Sequence, residues 1–301
     1  MISALALLLA LSPAAAFRTP ALQAHFSAAL HSKCTSPLFA PMLETARLCG
    51  DRPSLRVDAG RQILSLKMNS PGDWNKLEVI SNTKAAEGHQ RILLSGGVVH
   101  PTYSVPGQYV KIRKDSSQEK PGFFAMANAP GGSDRLFEFL IKRTDGSAWI
   151  CDASEGSVLD VSPAQGKGYP YSTAFTKDIS EVILLATGSG IAPLKAVLES
   201  RQLEPRALRL YYGAQTPAKM AYRDLFPSWE GVARVTPVIS RPEGTGWAGR
   251  QGYIQQCLLE DGLSAPERTG VLLCGVNAMV KEAKEALLQA GVPPGNILMN
   301  F

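Results

Sequence analysis

Basic runs, paired cysteines and long apolar stretches are all scarce in this sequence. Its 31 Lys and Arg stand against 26 Asp and Glu, a formal charge of +5. Arg18 and Lys33, with no acid in residues 1–43, account for two of those charges and leave +3 for the rest. That balance, without any Lys/Arg run interleaved with aromatics, excludes nucleic acid as an expected partner. The five cysteines (Cys34, Cys49, Cys151, Cys257 and Cys274) form no C-x-x-C pair and no zinc or iron–sulfur spacing. A scattered, odd set points to free thiols in a reducing compartment. The four histidines, His25, His31, His89 and His100, lack ligand spacing as well, so no metal centre is expected. Beyond the N-terminus no stretch approaches the roughly 18 apolar residues of a membrane helix, so no span is expected in the mature chain. Neither a Ser–His–Asp arrangement nor an internal repeat is present.

What is there is the composition of a soluble globular protein: 301 residues, 45% hydrophobic and 19% charged, enough for one large domain or two ordinary ones. The start is distinct. "ISALALLLALSPAAAF" has a short apolar run and an A-x-A-like end, as in a signal peptide, although its n-region carries no base. "FRTPALQAHFSAALHSKCTSPLFAPM" follows, basic and rich in Ser, Ala and Pro, and the first acid is Glu44. The pair resembles the bipartite presequences of algae with complex plastids; a secreted or mitochondrial protein with a disordered start is the alternative.

Two rhythms follow. Between Leu55 and Pro163 come short strand-like runs ("ILSLKM", "KLEVI", "RILLSGGVV", "GQYVKIR", "RLFEFLIKR", "SVLDVSP") separated by Gly, Pro, Asn and Asp, the pattern of an antiparallel β-barrel. After Thr176, apolar strands ("EVILLAT", "LRLYYGA", "ARVTPVIS", "TGVLLCGV") alternate with helix-like stretches ("APLKAVLESR", "MAYRDLFPSWE", "GYIQQCLLED", "NAMVKEAKEALLQAG"). That alternation indicates a doubly wound parallel α/β domain. In the last stretch Met279, Ala283, Ala286, Leu287 and Ala290 share one helical face, and Gly291 closes it. The expected division is a presequence over 1–50, a β-barrel over 51–175 and the α/β domain over 176–301.

"LLATGSGIAPLKAVLES" is a strand–turn–helix junction, read as ending in an amphipathic helix. The free N–H groups and dipole of a helix start favour an anion there. Pro193 is compatible because a missing N–H in the first turn costs nothing. The proline separates the turn from the G-x-G-x-x-G fingerprint, and the acid expected after the second strand is missing, since "RLYYGA" carries Gly213 there. Alone, such a turn is as compatible with packing as with a nucleotide.

The order T-G-S-G-I-A-P, Y-Y-G-A, V-I-S-R-P, W-A-G-R-Q-G-Y, C-G-V-N-A-M and a terminal aromatic resembles the ferredoxin–NADP reductase-like superfamily. The resemblance runs from Leu55 to Phe301 and is nearest to the plastid FAD/NAD(P)-binding oxidoreductases of the plant "fruit protein" type. It implies a barrel that binds FAD and an α/β domain that binds NADPH or NADH. Thr187, Gly188, Ser189 and Gly190 then hold the dinucleotide pyrophosphate, with Pro193, Gly213 and Met279 along the same site. Cys274 lies beside the nicotinamide, Gly275 lets it approach, and Phe301 covers the flavin. The plainer readings are an inert buried thiol for Cys274 and a core side chain for Phe301. Ser240 and Arg241 match a pair that grips a 2′-phosphate, with Tyr253 either stacked on the adenine or touching the same phosphate and Arg250 close by; "SRP" also reads as a turn.

The family's flavin motif, R-x-Y-S, is altered. In "KPGFFAMAN", Gly122 stands at the arginine, Phe124 at the tyrosine and Ala125 at the serine. Phe124 keeps a stacking face, Lys120 is the candidate replacement base, and Met126 and Asn128 complete the stretch. Gly146 and Ser147 form the second expected pyrophosphate element, or only a hairpin turn. The function implied is hydride transfer from NAD(P)H to FAD, then electron transfer to an unidentified protein or small molecule. The alternative is a flavin-reductase-like pair that has lost productive flavin binding and acts as a dinucleotide sensor or scaffold.

Overall fold

The computed structural model describes residues 74–300. The expected presequence, the strand expected at "ILSLKM" and Phe301 lie outside the described residues. The first half comprises β1 (Asn75–Ala86), β2 (His89–Ser95), β3 (Tyr109–Arg113), β4 (Gly122–Ala125), β5 (Leu136–Lys142), helix α1 (Ala148–Cys151) and β6 (Val158–Val161). These strands form one antiparallel sheet in the order β4-β3-β6-β1-β2-β5. Alternation works as the sequence implies: Val110 and Ile112 are buried while Tyr109, Lys111 and Arg113 are half-buried. Just past β4, the Ala127 N–H donates to the Glu138 carbonyl on β5 at 2.7 Å. The two edges of the sheet thus meet, which removes unpaired edges from that side.

The second half holds α2 (Tyr171–Ala174), β7 (Glu181–Thr187), α3 (Ile191–Ser200), β8 (Ala207–Ala214), α4 (Phe226–Trp229), β9 (Arg234–Ile239), β10 (Arg250–Gln251), α5 (Ile254–Asp261), β11 (Thr269–Cys274), α6 (Asn277–Gln289) and β12 (Ile297–Met299). Its sheet is parallel throughout, in the order β10-β9-β8-β7-β11-β12. All of β11 is buried, as befits a strand covered on both faces.

Three local readings change. Helix α3 is not amphipathic, because Ile191 to Leu198 are buried without exception, Lys195 included. The helix packs on the parallel sheet with one side and meets the first sheet with the other, and a single apolar cluster joins Leu194, Val197 and Leu198 to Ala86, Ala127 and Leu140. "MAYRDLFPSWE" gives only a 3₁₀ turn, Arg223–Leu225, and the four residues of α4, with Pro227 early in it. On α6, Met279, Ala283 and Leu287 are buried, but Ala286 is half-buried and Ala290 exposed, the narrower stripe of a helix on one sheet face. Among the described residues no helix is long and apolar enough to cross a membrane.

Candidate functional site: a cleft between the two sheets

Strand order places the site. From β7 the chain winds outward to β8 and β9, then returns to β11 on the other side of β7. Where the winding reverses, the carboxyl ends of neighbouring parallel strands part and leave a crevice. Those ends carry Thr187 and Cys274. The Thr187 hydroxyl accepts the Val276 N–H at 2.9 Å and ties the two strand ends together. A Cβ on Gly275, whose φ is +151°, would run into the Thr187 hydroxyl, and one on Gly190 into the Cys274 carbonyl. Only glycine permits that approach of backbone to backbone.

The crevice opens into a cleft of about 1130 Å³, a little larger than the roughly 300–1,000 Å³ of ordinary ligand pockets. Its α/β wall includes Thr187, Gly188, Ser189, Gly190, Pro193, Gly213, Ser240, Tyr253, Cys274, Gly275 and Met279; its other wall, from the first half of the described residues, includes Phe124 and Ala125 on β4 and Ser147 before α1. Fourteen of the anticipated residues, far apart in sequence, therefore line one cavity. Pro193 lies in the first turn of α3, and Tyr253 is exposed at the start of α5. The glycine cradle fits a phosphate lying along backbone N–H groups, and the aromatic wall fits a planar ring.

The other anticipated residues lie elsewhere. Lys120, Gly146 and Arg241 are not on the cleft wall; Arg241 is exposed next to Ser240. Met126 is fully buried in the first core. Asn128 spends its side chain within the protein, donating to the Leu136 carbonyl at 2.9 Å and accepting the Glu138 N–H at 2.9 Å. Both follow from the chain turning inward past β4. Ser147, although on the cleft wall, has its hydroxyl engaged: it donates to the Lys142 carbonyl at 2.6 Å and accepts the Thr144 N–H at 2.9 Å, so it holds the turn. Arg250 is occupied with Glu260 at 2.9 Å and Asp261 at 3.0 Å.

At the altered flavin motif, the Phe124 ring folds back along β4 over Gly122, where a Cβ would strike it. The same ring meets Phe139 edge-on at 6.4 Å. Glycine at the position of the family's arginine is thus the space in which Phe124 sits. Cys274 is buried, and burial pushes its thiol up to about 12. It stays protonated at neutral pH and is no nucleophile; it shapes the floor of the crevice.

Among the cleft residues that carry no sequence signal are His89, Lys142, Arg143 and Lys219. They come from the β1–β2 hairpin, the end of β5 and the turn after β8, where charged residues ordinarily mark solvent. Arg143 is held by both oxygens of Asp152 at 2.7 Å.

Residues 184–285 match the family model described as the oxidoreductase NAD-binding domain. The chain is 33% identical over 207 residues to the fruit protein pKIWI502 of Actinidia deliciosa, covering 64% of this chain and 65% of that protein. It is 27% identical over 224 residues to ferredoxin–NADP reductase B of Sorangium cellulosum, covering 69% of this chain and 84% of that one. The chain spans a little under two thirds of the length of the fruit protein. A ferredoxin NADP⁺ reductase from Neisseria gonorrhoeae, solved with bound FAD and NADP, superposes with a TM-score of 0.64 at 21% identity, over 75% of this chain and 97% of that one.

Proposed function

We propose that the chain is a member of the ferredoxin–NADP reductase-like superfamily and, on that premise, that it is an NAD(P)H-dependent flavoprotein that passes electrons to a separate redox partner. One observation carries the reading: a single cleft is walled by Phe124 and Ala125 on one side and by the Thr187–Gly190 and Cys274–Gly275 turns on the other. Bound FAD would supply the exchange of one hydride for single electrons. The residues of the chain do the rest. The Thr187–Gly190 turn holds the dinucleotide pyrophosphate, Gly275 lets the nicotinamide come close, and Phe124 and Ala125 back the flavin. Cys274 stays protonated and limits how deep a ring can sit. Catalysis then rests on holding two planar groups face to face, with water displaced from between them.

The relatives include electron-transfer reductases, which supports an acceptor that is a protein. The test is spectroscopic. Purified protein, supplied with FAD, is expected to show flavin absorption that bleaches on addition of NADPH or NADH. A protein that takes up no FAD overturns the proposal.

A further inference from the structure

His89 opens β2, directly after the Glu87–Gly88 turn, and its side chain lies in the cleft. It is 6% exposed. Its Nδ1 lies 3.0 Å from the Glu87 carbonyl. A carbonyl oxygen only accepts, so Nδ1 carries the proton and donates. In the neutral ring that leaves Nε2 as a bare acceptor. This Nε2 is buried and has no hydrogen-bond partner among the described residues. It sits over the dinucleotide turn, 3.9 Å from where Gly188 would carry a Cβ. An aimed, unpartnered acceptor in a cleft calls for a donor from a ligand, because an unmade hydrogen bond at a buried polar atom is costly.

We propose that His89 is a nucleotide-binding residue whose Nε2 accepts a hydrogen bond from an N–H or hydroxyl group of a nucleotide lying on the Thr187–Gly190 turn. The inference rests on the cleft being a nucleotide site, as proposed above. Both FAD and NAD(P)H carry such donors, and the test separates them. The groups around the ring keep it neutral. Burial lowers its affinity for a proton, the Glu87 carbonyl opposes that, and the ammonium groups of Lys142 from β5 and Lys219 from the α/β half add to the lowering. Arg143 and Glu87 also line the cleft nearby. A protonated His89 would present N–H to a donor, so nucleotide binding weakens as the ring titrates, below the usual value of 6.5.

The experiment measures dissociation constants for FAD and, separately, NADP⁺ by calorimetry between about pH 5 and pH 8. Wild type, His89→Leu and His89→Gln are compared. The expected result is that one nucleotide binds wild type more weakly at acid pH, and binds His89→Leu about fivefold more weakly at pH 8 with no acid dependence of its own. His89→Gln, which keeps an acceptor that does not titrate, recovers most of the affinity and is flat with pH. The responding nucleotide identifies the donor. Binding that tightens as pH falls would assign Nε2–H to a phosphate and overturn the proposal. Equal affinities in wild type and His89→Leu for both nucleotides would overturn it too. If wild type binds neither FAD nor NADP⁺, the nucleotide reading of the cleft falls and the inference with it; tight wild-type binding with an indifferent His89→Leu sinks the inference alone.

Discussion

Lys195 on α3 and Glu138 on β5 form an ion pair of 3.1 Å in which both side chains are buried. The pair binds the helix that follows the Thr187–Gly190 turn to the sheet that carries Phe124 and Ala125. Glu138 also takes Arg91 at 2.9 Å and the Tyr222 hydroxyl at 2.8 Å, and Lys195 takes Glu199 at 2.9 Å. Removing one partner leaves a buried charge short of a counter-ion. Lys195→Met is therefore expected to cost about 3 kcal/mol. Combining it with Glu138→Leu should cost clearly less than the sum of the two single changes. Urea unfolding of the four proteins checks this, and strict additivity would show the pair to be uncoupled.

The same carboxylate sets an acid limit. Burial pushes the Glu138 carboxyl up, but the Arg91 hydrogen bond, the charges of Lys195 and Arg91 and the Tyr222 hydroxyl outweigh it, and the net shift is below the usual 4.5. A carboxyl depressed in the folded state stabilises above its unfolded value, and that stability is lost as pH falls through the folded value. Glu199, raised chiefly by burial, works in the opposite direction. Wild type should lose stability more steeply than Glu138→Gln from about pH 5 downward, measured by thermal melts across pH.

Gly122 is filled from above by the Phe124 ring. Gly122→Ala is expected to destabilise by about 1–3 kcal/mol through overpacking. Gly122→Ala with Phe124→Leu should recover much of that, which differential melting will show. If Gly122→Ala melts like wild type, the ring does not need the space.

Cys274, with a thiol pushed up to about 12 and buried, should resist iodoacetamide in the native protein at pH 8 and react once the chain is unfolded. Mass spectrometry of peptides from both conditions decides. Rapid native alkylation of Cys274 would contradict its role as a passive floor.

Arg241 is exposed beside Ser240, which lines the cleft. If it contacts a 2′-phosphate, Arg241→Ala should weaken NADPH about tenfold or more, on the scale of a charge-assisted hydrogen bond, and leave NADH unchanged. Steady-state comparison of the two coenzymes measures this.

What the residues by themselves mark most clearly in the cleft is the part built from backbone; Phe124, Ala125 and Ser147 on the other wall are legible only through the family resemblance. Gly190 and Gly275 must be glycine for strand ends to approach, and such demands leave a local mark. Strand alternation and the β/α rhythm were legible for the same reason. The other wall is made of side chains that meet through the fold. Nothing near His89 in "AEGHQR" distinguishes a cleft histidine from a hairpin residue, because Gly188 lies about a hundred positions away. Met126 and Asn128 stand next to Phe124 in sequence, yet the chain turns into the core two residues after it. The burial of α3 was hidden because periodicity reports one partner surface, and this helix has two.

The hydrogen bond between the Thr187 hydroxyl and the Val276 N–H has a thermodynamic consequence. It fixes the spacing of the β7 and β11 ends during folding, so the crevice has its width before any ligand arrives. The entropy of ordering those turns is then lost once, on folding, and is not charged again against association. A nucleotide entering there surrenders its own freedom but demands little of the protein. Changes at Thr187 should accordingly register in affinity even where the ligand never touches its side chain.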